Sequence, residues 1–449
     1  MENLKIEEVN YPYLEKPLKI IERENGHKIV LGYKSGGLCN ISSWVKTGSI
    51  NEDDEINGIS HFVEHVMFKG TKTYKAGYFD KTLEAKGAIV NAATWKDYTF
   101  YYVTLPYGKN GEDFKLAIKL HADMMINPIF PEEELGLPFD FDKETPKLKR
   151  ERSVVIEEIG MCEDNPWTKV YNQCNQNMYT QHPYKRDVIG KRQIISSIPR
   201  EKVMEYYLKF YTPNNITTIA VGDFDEDEIL KLLLKEFDFK GRENNLSMKE
   251  YVLDSRKPAQ FFEKTANVNT GFMMYGFLGP RACKLKEIIA LDMISIILGE
   301  GISSRLHQNL IEKASDSVFN MVSSCHYQFK DGSNFFIQAN FKPEKKDIAL
   351  KLINDEINKI NESITDREFN KAKKKILSSF ACDSETVSSI SETIGDYMTK
   401  LNDIKPIEDY LKIVDKMTIS DLLQISKEYI NLDFVTVSIL LPNKNEKDN

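Results

Sequence analysis

The stretch Gly58-Ile59-Ser60-His61-Phe62-Val63-Glu64-His65 decides how this chain is read. On a helix, residues i and i+4 share a face, so the His61 and His65 imidazoles can reach one metal ion. Glu64 follows His61 by three positions and lies on the same side. The flanks Gly58-Ile59-Ser60 and Val66-Met67-Phe68-Lys69-Gly70-Thr71 are apolar and glycine-bounded, so a helix beginning over His61 to Phe68 is expected to be buried. Two histidines and a glutamate on a surface helix would be ordinary solvated polar residues. Buried, they need partners. The chain has only 7 histidines in 449 residues, and two of them fall at metal-ligand spacing in one apolar turn.

The order H-x-x-E-H is the inverzincin signature. A carboxylate beside the two ligands can hold and deprotonate a water whose pKa zinc lowers to roughly 7. Two histidines and one water leave tetrahedral zinc a ligand short. The candidate source is the acidic helix Glu151-Arg152-Ser153-Val154-Val155-Ile156-Glu157-Glu158. Glu151 and Glu158 are two helical turns apart on one face, and Glu157 points about 100° away. That places Glu158 as the third ligand and Glu151 as a partner orienting a histidine N–H. Taken alone, the same helix also reads as a solvated acidic face.

A net charge of −8 argues against nucleic acid or an anionic membrane as the main partner. Hydrophobic content of 41% and charged content of 29% fit a soluble globular protein of more than one domain. The six cysteines are scattered without a C-x-x-C pair, which reads as reduced structural thiols. The charged N-terminus MENLKIEEVNYPYLEKP has no apolar leader, and Ile288 to Leu298 is too short to span a bilayer. Both point to a cytoplasmic protein.

Strand-like and helix-like segments alternate. Strands are expected at Lys28–Leu31, Leu38–Val45, Ala88–Thr94, Thr99–Leu105 and Ile216–Val221, and helices at Phe79–Lys86, Phe114–Ile126, Lys149–Met161 and Arg200–Phe210. The order recurs later: strands at Phe261–Thr265, Thr270–Phe277, Val318–His326, Asn334–Asn340 and Phe434–Leu441, helices at Lys284–Leu298, Ile348–Asn361, Asp366–Ser379 and Ile419–Ile430. Leu291 and Ser295 stand where the first half has His61 and His65, so only one half should carry metal. The fold class expected is α+β, with residues 1–238 as the zinc-bearing half, 239–257 as a linker and 258–449 as a homologous half without metal.

With these segments in view the chain resembles the M16 family of zinc metallopeptidases, in particular the shorter class with the beta subunits of mitochondrial processing peptidase and bacterial relatives. The matching stretches are residues 58–65, Gly87-Ala88-Ile89-Val90-Asn91-Ala92-Ala93-Thr94, Asn127-Pro128, residues 151–158, Tyr211-Thr212-Pro213-Asn214-Asn215 and Gly301-Ile302-Ser303-Ser304-Arg305-Leu306. The resemblance implies one zinc per chain on His61, His65 and Glu158, with Glu64 as base and Glu151 as auxiliary acid. It implies that a peptide adds as a strand along Asn91, Ala92, Ala93 and Thr94. It also implies two homologous halves, each of two α+β sandwich domains, closing as a clamshell around a chamber that admits unfolded peptides or leader sequences.

Two departures from the family pattern stand out. The interval from His65 to Glu158 is long, with the excess placed at Leu135 to Lys149. An Arg and a Tyr that many relatives carry in the second half, bound to substrate and oxyanion, are replaced by Ile311 and Val318. Heterodimeric relatives put that pair on another chain, so a homologous M16 subunit is the expected partner, ahead of a homodimer. A scaffold subunit without catalysis is the rival reading, and the intact zinc set favours the enzyme.

Overall fold

The computed structural model describes residues 4–143, 150–242, 249–313 and 317–443. Parts of three sequence features, the 135–149 insertion, the 239–257 linker and the 310–318 stretch, lie outside them.

The chain divides into two compact units. The first holds residues 1–160, 186–250 and 381–408, and the second holds residues 161–185, 251–380 and 409–449. Each is α+β on a single sheet, in agreement with the expected class. The strands of the first unit are β1 (Lys5–Val9), β2 (Leu18–Glu22), β3 (Lys28–Tyr33), β4 (Leu38–Val45), β5 (Ile89–Thr94), β6 (Thr99–Pro106) and β7 (Ile216–Gly222), in the order β1-β2-β3-β7-β4-β6-β5. The second unit has β8 (Gln260–Ala266), β9 (Gly271–Gly279), β10 (Phe319–Gln328), β11 (Ser333–Phe341) and β12 (Thr436–Pro442), in the order β10-β11-β9-β12-β8.

Read from the other end, the second sheet is β8-β12-β9-β11-β10, which matches β3-β7-β4-β6-β5 strand for strand. The pairing sense matches too: β3 with β7 and β8 with β12 are parallel, and the remaining pairs are antiparallel. The internal repeat is therefore a repeat of topology, and the first unit adds β1 and β2 at one edge.

Two helices are drawn from distant sequence. Pro166–Met178 packs on β9 and β12, and Val387–Lys400 packs on β4 and β7. Small residues admit them. A Cβ on Gly276 would strike Cys174 and Met178, and one on Gly395 would strike the Trp44 ring.

The motif forms α1 (Ile59–Met67), followed by α2 (Tyr78–Glu84) and α3 (Glu112–Ile126). Its apolar side, Ile59, Phe62, Val63, Val66 and Met67, is buried in the core of the first unit, which also takes side chains from α3 and the Arg200–Phe210 helix. Gly58 opens α1 at φ +98, and a Cβ there would meet Ile189 O and Gly190 Cα at 2.8 Å. That close approach fixes where the helix starts.

Candidate metal centre

Gly58 has no side chain to cap α1, and a residue from the preceding loop does it instead. Glu52 is buried, and its carboxylate accepts from Gly58 N at 2.8 Å, Ser60 N at 2.9 Å and Asn57 Nδ2 at 2.8 Å. Burial pushes its pKa up against the pull of these bonds. A carboxylate on the first N–H groups also opposes the positive end of the helix dipole. Nothing local marks Glu52 in the run Asn51-Glu52-Asp53-Asp54-Glu55, which reads as a solvated acidic loop.

The Glu151–Asp164 helix is fastened by the buried Arg152, which donates to Gly136 O at 3.1 and 3.2 Å, donates to Ile195 O, and sits 5.0 Å from the Phe62 ring. Burial lowers its pKa to about 10. Arg152 thus ties the acidic helix to α1 through the residue next to His61. The sequence gives no sign of it between two acidic positions.

This fastening brings His61, His65 and Glu158 together, with one donor atom from each within 4.8 Å of the others. His61 Nε2 lies 3.8 Å and His65 Nε2 3.3 Å from Glu158 Oε2. Donors about 2.0–2.1 Å from a tetrahedral zinc stand roughly 3.3–3.5 Å apart, so this set fits the ion. It is the one such cluster of His, Cys, Asp and Glu among the described residues, which accords with one zinc per chain. Glu157 is exposed and outside it.

Around the cluster, His65 Nδ1 donates to Glu151 Oε2 at 3.3 Å, and Lys69 Nζ pairs with Glu151 Oε1 at 2.5 Å. The spacing of Lys69 in the sequence does not single it out. Burial alone would hold His65 neutral, but its bonds to Glu151 and Glu158 prevail and raise its pKa to about 9 in the metal-free chain. Burial, then the neighbouring His65, lowers His61 to about 4. Burial raises Glu64, partly offset by a hydrogen bond from Thr94. The His65 bond, working against desolvation, lowers Glu158.

Asn91, Ala92, Ala93 and Thr94 lie on β5, which pairs with β6 on one side and ends the sheet on the other. The other histidines are spent elsewhere. His27 and His121 are buried against Thr218 and Ser43 hydroxyls at 2.9 Å, each lowered to about 3 by burial, and His307 pairs with Glu312. Ser304 donates its hydroxyl to Gly301 O, and Arg305 grips Glu368, so that segment is a packing element.

The insulinase (M16 peptidase) family model matches residues 28–192, and the model of the M16 inactive domain matches residues 197–376. The chain belongs to the M16 family of zinc metallopeptidases. It is 27% identical to an uncharacterized zinc protease of Rickettsia felis over 89% of this chain and 91% of that one. It is 29% identical to zinc protease PqqE of Helicobacter pylori over 90% and 88%. The crystal structure of a protease from Helicobacter pylori superposes with a TM-score of 0.84 at 26% identity, covering 98% of this chain and all of that one. The chain is thus a zinc metallopeptidase, with the metal-binding set and the family in agreement.

Two expectations are overturned. One chain carries both the zinc-bearing and the inactive M16 domain, so the reading of this protein as one subunit of an obligate heterodimer does not stand. The periplasmic protease PqqL of Escherichia coli, 18% identical with a TM-score of 0.77 over 98% of this chain and 48% of that one, likewise carries this fold within a single polypeptide. The cytoplasmic assignment falls with the same likeness, because a protein described as periplasmic has this fold. No described helix is long and apolar enough to cross a membrane.

Proposed function

We propose that this chain is a self-sufficient endopeptidase, needing no different subunit, that cuts unfolded peptides or leader sequences held as an added strand on β5. The convergence of His61, His65 and Glu158 at tetrahedral spacing from two separate helices carries this reading. Bound there, zinc supplies Lewis acidity, lowering the pKa of a water and polarising the scissile carbonyl. His61 and His65 present Nε2, and Glu158 one oxygen. Glu64 takes the proton of the attacking water and passes it to the leaving amine, a role its burial and raised pKa suit. Glu151 fixes the ring of His65 through Nδ1 and is itself held by Lys69. The open edge of β5 offers main-chain donors and acceptors to an extended peptide, which explains a preference for unfolded chains.

The test is cleavage of a quenched fluorogenic peptide by the purified chain alone. Chelator-sensitive cleavage, restored by zinc, is expected. Zinc-loaded chain that cleaves only after a second polypeptide is added would refute self-sufficiency.

A further inference from the structure

Side chains along β5 alternate, and Val90 and Ala92 pack on the core of the first unit. Thr94 continues their side, and its hydroxyl donates to Glu64 Oε2 at 2.6 Å. Among the described residues this is the one hydrogen bond to the Glu64 carboxylate, so Oε1 is left open. The neighbouring Thr99 hydroxyl is engaged by Thr47 O at 2.9 Å and lies 3.5 Å from that of Thr94.

The main chain of Thr94 faces elsewhere. Trp95 N–H donates to Tyr98 O at 2.8 Å, so 95 and 98 close the β5–β6 hairpin as a bonded pair. In an antiparallel ladder bonded and non-bonded pairs alternate, which makes Thr94 and Thr99 a non-bonded pair. The N–H and C=O of Thr94 therefore point away from β6, at the open edge. The same phase holds at Ala92, whose N–H is satisfied by the Asn91 side chain at 2.9 Å instead of by β6. Asn91 so covers an edge donor until another strand takes it.

One residue thus meets an incoming strand through its backbone and the base through its hydroxyl. We infer that Thr94 is a positioning residue for Glu64: a peptide paired along β5 fixes the Thr94 backbone, and its hydroxyl holds Oε2 while Oε1 receives the proton. The inference rests on the base role proposed for Glu64. It assigns the Thr94 side chain to the base and leaves substrate pairing to its main chain. Substrates are then favoured when they pair as far as this last rung.

Thr94→Val keeps shape and strand propensity and removes the donor, and Thr94→Ser keeps the donor. For Thr94→Val, kcat should fall on the order of 10–100-fold, as for outer partners of metal sites, with KM within about twofold and zinc content unchanged. Thr94→Ser should recover most of kcat. A crystal structure of Thr94→Val should show Glu64 in more than one rotamer. Wild-type kcat in Thr94→Val, equal slowness in Thr94→Ser, or a single unchanged Glu64 rotamer would overturn the inference. If the zinc-loaded wild-type chain cleaves nothing, the base assignment fails, and the rotamer comparison still decides what Thr94 holds.

Discussion

The helix α1 and the helix Leu285–Gly299 occupy the same place in the repeated topology, and they differ in almost every respect that chemistry can use. On α1, His61, Glu64 and His65 share a face, Glu52 caps the start of the helix, and Thr94 and Glu158 reach in to meet that face. Leu285–Gly299 is buried from Ile288 to Leu298 save for the half-buried Asp292, with Leu291 and Ser295 in place of the histidines. Asp292 is occupied: His326 Nδ1 lies 2.7 Å from it and Gln328 donates at 3.0 Å. The same five-stranded frame accepts either helix. Zinc is therefore grafted onto a fold that stands without it.

The largest effect that would sharpen this contrast is at Glu64. Glu64→Gln should lower kcat by about 10³-fold, within the range for a lost general base, while zinc measured by mass spectrometry stays at the wild-type amount. Next come the paired positions. Leu291→Ala should cost about 2–5 kcal/mol of stability by denaturant titration, whereas His61→Ala should leave the metal-free chain within about 1 kcal/mol of wild type. Equal losses would break the comparison, because α1 would then depend on its polar face for folding.

Much of this was legible in the sequence, and the reason differs by element. β4 and the Arg200–Phe210 helix have the expected bounds, the helix because its buried Val203, Tyr206, Tyr207 and Phe210 recur at helical spacing. The HxxEH turn and the 151/158 pair are legible since ligand geometry demands fixed spacing on a helix. β1, mostly exposed and charged, lacks a buried face to reveal it. The docking of Pro166–Met178 and Val387–Lys400 depends on Gly276 and Gly395 fitting Met178 and Trp44, contacts with no local signature. Glu52 and Arg152 escaped for a related cause: a buried charge looks like a surface one until its partners are in place.

A third effect separates the halves by pH. In the metal-free chain His65 is protonated below about 9 and His61 is neutral above about 4. Zinc binding must expel the His65 proton, so affinity should weaken about tenfold per unit as pH falls from roughly 8 to 6. Competition with a chromophoric chelator would check this, and a flat profile would contradict it. The smallest effect belongs to the second half. Asp292→Asn should cost about 1 kcal/mol and leave zinc content and cleavage unchanged. A drop in either would mean that the Leu285–Gly299 helix serves the metal centre after all.

The most direct test of the account is zinc stoichiometry and peptide cleavage measured on the same preparations of wild type, Glu64→Gln and Glu158→Gln, each purified alone. The account predicts one zinc with cleavage, one zinc without cleavage, and weakened zinc without cleavage, in that order. Full zinc in Glu158→Gln, or wild-type cleavage by Glu64→Gln, would contradict it.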